Sequence, residues 1–493
     1  MAKYFKNLVS DPDASTSATP FTATKTLQSI YSGLDVFPGR NQYGDGGFCC
    51  YRALTYTAPL GFSTAIFAPG WTWESATENS EQNWNNWWGN ERKLWLGPLK
   101  PGEIISVPDS PEGPFKPMTA FFQALPLPNP SNFVFYTNFS PGVGYSWFVE
   151  GKKVLDTVDG WTDIDKQTSI GNLVWPWPAP SWQGAKGEEA LPTGSTALDM
   201  TAGYNGGNTL KLTLVYAGSK SNDTVKSIWL PVQSLVVTTR ESFEARVVYK
   251  TTAGNDVDLD THIYAKSLSN EENGSAAFTI GQPNASNLPQ GWTQQTINFT
   301  STSTRNTASV AIGFLVGIKP KDPSTEVTFS FSLGQLAVYP SPPPQSVSLG
   351  TPSVTGAKFA PASQAADAFK GVLTWDTAST FTHTDVQIDD EESTTPAWLL
   401  QDTPAYRFPT FVYFNIYAAP LNGSTAVDSA SAVFVGTTGL DGRANRFYVE
   451  QACFPTGWDK KTAVRFYVRG VTDRGEALPW ERCATVDYKR STA

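Results

Sequence analysis

Charge is what this 493-residue chain has least of: Asp, Glu, Lys and Arg together make up 16%, against roughly 25% in ordinary soluble domains. The net charge of −9 and the absence of a long basic run exclude nucleic acid or an anionic membrane surface as the main partner, because either requires several phosphates to be neutralised. No stretch approaches 18 uninterrupted apolar residues, so no segment is expected to span a bilayer. Histidine occurs only at His262 and His383, which argues against a catalytic triad or a histidine-rich metal site. The cysteines Cys49, Cys50, Cys453 and Cys483 are too few for a disulfide framework and lack zinc-ligand spacing. A reducing cytosol is the expected compartment. The first residues, MAKYFKNLVSDPDAS, lack the apolar centre of a secretory leader. Asn-x-Ser/Thr triplets such as those at Asn138 and Asn284 are therefore read as chance matches. No phosphate-cradling glycine loop or dinucleotide fingerprint is present, and no cofactor is expected.

What is plentiful is apolar and aromatic. Apolar residues reach 40% and aromatics 13%, with 17 tryptophans, a composition that leans toward a sugar-handling β protein. The length suits about three domains. Residues 131–340 read as all-β: Leu210, Leu212 and Leu214 alternate with polar neighbours, as do Phe243, Ala245 and Val247, and again Val327, Phe329, Phe331 and Leu333. Period-two patterning with one wet face marks antiparallel sandwich strands. A proline tract from Tyr339 to Pro344 is a stiff spacer. Beyond it, Gly371–Asp376 and Ala463–Gly470 read as strands of a second sandwich with Trp375 as a core anchor. The connection from Pro98 to Pro130 is proline-rich and reads as a linker.

The chemistry-bearing stretch is Tyr31 to Glu74. Two buried-strand runs, Gly33–Phe37 and Ser63–Ala68, each break into polar and aromatic residues, and a helix is expected just before them at about Ala23–Ser32. After the first run come Pro38, Gly39, Arg40, Gly44, Asp45, Gly46 and Gly47; after the second, Pro69-Gly70 and then Trp71, Trp73 and Glu74. In a parallel α/β barrel such residues sit at the C-terminal strand ends, where the active site is built.

The phrases Y-S-G-L-D-V-F-P-G-R, G-D-G-G and S-T-A-I-F-A-P-G-W-T-W-E resemble the last two strands of the catalytic barrel in glycoside hydrolase family 85, the cytosolic-type endo-β-N-acetylglucosaminidases. Phe135–Gly144 and Asn205–Leu210 resemble the jelly-roll module that follows the barrel in that family. The resemblance implies a multidomain α/β plus all-β chain. Residues 1–100 would be the remnant of a (β/α)8 TIM barrel, comprising its last two strand-helix units, and 101–130 a linker. Residues 131–340 would be a jelly-roll, carbohydrate-binding-module-like sandwich, 341–346 a second linker, and 347–493 a fibronectin-III-like sandwich. It also implies hydrolysis of the GlcNAc-β1,4-GlcNAc bond of an N-glycan or glycoprotein. A glutamate protonates the leaving oxygen, and an asparagine two residues earlier orients the substrate's own acetamide as nucleophile, a departure from the two-carboxylate scheme.

That Asn-x-Glu pair lies upstream of the stretch corresponding to Tyr31. The two matches present, Asn79-Ser80-Glu81 and Asn270-Glu271-Glu272, do not follow apolar strands, so no catalytic residue is assigned. The chain is expected to begin partway through the barrel, with a partner chain needed if the barrel is completed in trans. Asp35, Arg40, Trp71, Trp73 and Glu74 are the candidate substrate-binding residues, with rings for pyranose faces and charged groups for hydroxyls. Three rival readings compete at these and other positions. The first is an inactive glycan-binding or scaffold protein; the second is a conventional carboxylate pair of Asp35 and Glu74; and the third is structural, with Asp35 pairing with Arg40 and Trp71 capping the core. Trp161, Trp175, Trp177 and Trp182 are expected to pack against the barrel. Asp256, Asp258 and Asp260 are expected to lie on a solvated strand edge, calcium being the alternative.

Overall fold

The computed structural model describes residues 27–37, 46–75, 84–98, 102–122, 126–131, 134–172, 193–218, 226–268, 278–341, 352–362, 369–379, 409–421, 431–440, 445–458 and 463–490. They fall into two compact units, one running to Pro126 and the other from Leu127 onward.

In the first unit, β1 (Tyr31–Asp35) and β2 (Ser63–Phe67) pair in parallel, Tyr31 against Ser63 through Asp35 against Phe67. The crossover carries helix α1 (Tyr51–Thr57). After β2 come a one-turn helix, α2 (Trp71–Glu74), and α3 (Trp84–Leu96). Leu34, Val36, Cys50, Leu54, Leu94 and Met118 form the core. The helix expected over Ala23–Ser32 is not present in its described part. Leu27–Ser29 make a single tight turn, and Tyr31 and Ser32 belong to β1, because pairing with β2 gives their backbone groups partners that an isolated helical turn does not. The proline-rich segment folds back on α1: Arg52 donates to the Pro108 carbonyl at 2.6 Å, and the Tyr51 hydroxyl donates to Gly113 at 2.5 Å.

The second unit is all-β among the described residues. Its first part contains β3 (Phe135–Thr137), β4 (Pro141–Val149), β5 (Lys152–Gln167), β6 (Thr193–Asp199), β7 (Thr209–Tyr216), β8 (Lys226–Thr238), β9 (Ser242–Ala253), β10 (Val257–Ser267), β11 (Phe278–Ile280), β12 (Asn284–Asn287), β13 (Thr293–Ser301), β14 (Thr307–Pro320) and β15 (Val327–Pro340). One sheet has the order β11-β13-β9-β15-β7-β6, with β12 also on β13 and β3 on β15; a second is β10-β14-β8; and β4 and β5 form a ribbon. The alternating leucines of β7 and the apolar sets of β9 and β15 all point inward and are buried. Rings from the two sheets meet, Phe314 of β14 stacking on Phe331 of β15 at 6.0 Å. Pro231 lies inside β8, where it has no N–H to donate. It is tolerated because β8 is an edge strand and the ladder slips opposite it at Ile312/Gly313.

The second part contains β16 (Pro352–Pro361), β17 (Gly371–Ser379), β18 (Phe411–Pro420), β19 (Val433–Thr437), β20 (Arg446–Val449), β21 (Ala463–Thr472) and β22 (Ala484–Lys489). They make a three-stranded sheet, β16-β17-β20, facing a four-stranded one, β19-β18-β21-β22. Trp375 is buried between them against Phe414, 5.0 Å away. The two parts adhere through Trp147 and Val149 of β4, which share a small core with Tyr413 and Val471. Arg469 donates to Glu150 at 2.7 Å, Gln335 to the Gly475 carbonyl at 3.3 Å, and the Leu440 N–H to the Asp165 carbonyl at 2.7 Å.

Candidate functional site

Parallel pairing puts the chain leaving β1 and the chain leaving β2 at the same end of the two strands. There the two loops touch. Gly47, with φ at 59°, lies beneath the Trp71 indole so closely that a Cβ would meet the ring at 2.5 Å. Phe48 presents its ring edge to Trp71 at 5.2 Å. Of the G-D-G-G motif, the last two glycines are thus needed for close approach, since a Cβ on Gly46 would fall 2.6 Å from the Phe37 carbonyl carbon.

The second loop is held in an uncommon conformation. Ala68, the residue after β2, has φ at 55°, a strained value for a residue with a side chain. The strain turns the chain sharply into Pro69-Gly70 and the single turn of α2. Thr72 is fully buried, its hydroxyl 2.7 Å from the Glu91 carboxylate of α3, while Asn90 donates to the Thr72 carbonyl at 3.1 Å. Trp71 and Trp73 thereby flank a fixed residue. Trp71 is half-buried on the core, and Trp73 is 36% exposed with its ring edge-on to Trp87 at 6.5 Å.

Of the five residues singled out in the sequence, Asp35, Trp71, Trp73 and Glu74 lie at this end, and Arg40 lies outside the described residues. Asp35 accepts the Phe37 N–H at 2.9 Å, so its carboxylate fixes the turn that leaves β1. Glu74 is exposed. Glu91 is the residue that sequence reasoning missed. Burial pushes its carboxyl above the ordinary range, opposed by hydrogen bonds from Thr72 and Trp95. Cys50 is no nucleophile: burial raises its thiol to about 12.

Elsewhere, Trp161 packs on residues of its own unit. It lies 5.4 Å from Trp147, with its indole N–H on the Ser146 carbonyl at 3.1 Å. Trp175, Trp177, Trp182, His383 and both Asn-x-Glu matches lie outside the described residues. Asp258 and Asp260 are exposed on the edge strand β10, Asp260 pairing with His262 at 2.9 Å. No group of three or more acidic, His or Cys side chains suited to a metal ion occurs among the described residues. Asn138 is fully buried and donates to the Asn205 carbonyl at 2.8 Å, which leaves its triplet inaccessible. No helix among the described residues is long and apolar enough to cross a membrane.

The described residues form a multidomain chain with a parallel βαβ element followed by β-sheets, and part of it is similar to known proteins. Residues 6–147 match the model for Glycosyl hydrolase family 85. Cytosolic endo-beta-N-acetylglucosaminidase 2 of Arabidopsis thaliana is 31% identical over 140 residues, which cover 28% of this chain and 16% of the plant protein. Cytosolic endo-beta-N-acetylglucosaminidase 1 of the same plant is 30% identical over 142 residues, again 16% of its length. Among solved structures, the glycoside hydrolase domain of Endo-D from Streptococcus pneumoniae R6 aligns with 99% of this chain and 61% of its own, at 16% identity and a TM-score of 0.45.

Proposed function

We propose that this chain engages the N-glycan core as part of a cytosolic endo-β-N-acetylglucosaminidase of family 85, the strand ends of β1 and β2 forming part of the sugar-binding face. The family match over residues 6–147 supports this reading, and the carrying observation is the strained Ala68 turn that delivers Trp71, Trp73 and Glu74 beside the loop from Asp35. In this reading β1 and β2 correspond to the last two barrel strands, the first sheets of the second unit to a jelly roll, and the last two sheets to a fibronectin-III-like module. The tryptophans take the apolar faces of N-acetylglucosamine or mannose, and Glu74 and Arg40 take hydroxyls. Asp35 acts by shaping its loop, and no residue of this chain is assigned as the Asn-x-Glu pair. An inactive glycan-binding protein is the second reading, favoured by the fact that the Asp35 carboxylate is already committed to the backbone.

The test is to incubate the 493-residue chain with a high-mannose glycopeptide, following cleavage by mass spectrometry and binding by calorimetry. Binding without cleavage, weakened about tenfold by Trp71→Ala, is the expected result. A peptide product retaining one N-acetylglucosamine would place a working catalytic pair in this chain and overturn that part of the proposal. Absence of binding would overturn the glycan reading itself.

A further inference from the structure

A groove of about 590 Å³ opens in the second unit, where the β4-β5 hairpin, the turn at Pro289–Gly291 and the four-stranded sheet converge. Its size is that of a small-molecule or short-oligomer site. Two tight turns form its rim. The hairpin tip is Glu150-Gly151, with φ of 51° and 79°, closing a two-residue loop between Val149 and Lys152. The second tip is Gln290-Gly291, with φ of 61° and 75°, closed by the Trp292 N–H on the Pro289 carbonyl. Such turns want Asn, Asp or Gly at their first position, because longer side chains fit the left-handed region poorly. Here both first positions carry a long polar side chain, and both residues line the same groove. That coincidence gives the local strain a use.

The opposite wall is aromatic. Trp480, half-buried, is propped by the Arg469 guanidinium 5.2 Å from its ring and by the Tyr417 ring edge at 4.9 Å. Phe434 lies beside them. Arg469 is buried and spends its charge on Glu150 at 2.7 Å, while Lys153 faces Asp156 at 3.3 Å. Two of the three lining cations, Arg469 and Lys153, are thereby matched, and Lys152 is the third. A rigid indole lining the same groove as planar amide and carboxylate groups suits a molecule with one apolar face and a rim of hydroxyls.

We infer that this groove is a second binding site, for a neutral pyranose oligosaccharide that packs on Trp480 and hydrogen-bonds to Gln290 and Glu150. It stands independently of the strand-end site, which belongs to the other unit. Titrating the full chain with mannotriose and, separately, chitotriose, read by calorimetry, tests it. With Trp71→Ala as the background for every titration, so that the strand-end site contributes little, binding of at least one is expected, about tenfold weaker once Trp480→Ala is added. Gln290→Gly relieves the left-handed strain, so it is expected to keep or raise the melting temperature while weakening binding severalfold. This variant decides the matter even if Trp480→Ala fails to fold. No binding of either sugar in that background, or binding unchanged once Gln290→Gly is added, would overturn the inference.

Discussion

At the scale of single residues, Gly47 carries more of the strand-end site than its size suggests. Its positive φ and the indole above it each exclude a side chain. Gly47→Ala is expected to destabilise the first unit by about 1–3 kcal/mol and to shift tryptophan emission, read by thermal unfolding and fluorescence. Asp473, in the second unit, sets a different expectation. Burial raises its carboxyl from the usual range to about 6, against the opposing effects of Arg474 and of hydrogen bonds from Thr410. The folded chain keeps a proton there that the unfolded chain has released. Its contribution is therefore fully present below about pH 4 and is lost as pH rises to about 6, an effect of roughly 2–3 kcal/mol at most. Asp473→Asn is expected to flatten that part of the profile, and urea midpoints from pH 4 to 7 check it; an unchanged slope would refute the assignment.

At the scale of elements, the parallel pair is the weak member. Two strands in parallel over a modest core are only marginally protected, whereas β9 and β15 are flanked on both sides within a wide sheet. Hydrogen exchange is expected to reach β1 and β2 well before β9 or β15, and equal protection would sink this ranking. The strands that were legible in the sequence were those with strict alternation, such as Leu210, Leu212 and Leu214, because a period of two has one physical reading when one face is wet. The elements that escaped were those defined by partners distant in the chain. Tyr31 and Ser32 look helical until Ser63 and Thr64 pair with them. Glu91 reads as an ordinary exposed helix residue until Thr72 comes over it. The tryptophans and glycines that meet at the strand ends stood out in the sequence because they are clustered in the chain. The groove at Trp480 did not, because its walls come from seven separated stretches and nothing in Glu-Gly or Gln-Gly announces a turn.

At the scale of the whole molecule, the two sandwich parts of the second unit are joined by more than a proline tract. Arg469→Met removes the charge that faces Glu150 and is expected to cost about 1–3 kcal/mol, at the lower end because Glu150 is partly hydrated. Calorimetry is expected to show the two parts melting as one transition in the parent chain and broadening in the variant. Two resolved transitions in the parent would contradict the coupling. The same joint bears on how the chain is made. Glu150 and Arg469 are 319 residues apart, so at about 5–20 residues per second the hairpin leaves the ribosome roughly 15–60 s before its partner. Through that interval Trp147 and Val149 have no Tyr413 or Val471 to cover them. Until the last strands emerge, the nascent first sandwich thus exposes an apolar strip, and a chaperone that shields it is expected to raise the yield of folded chain.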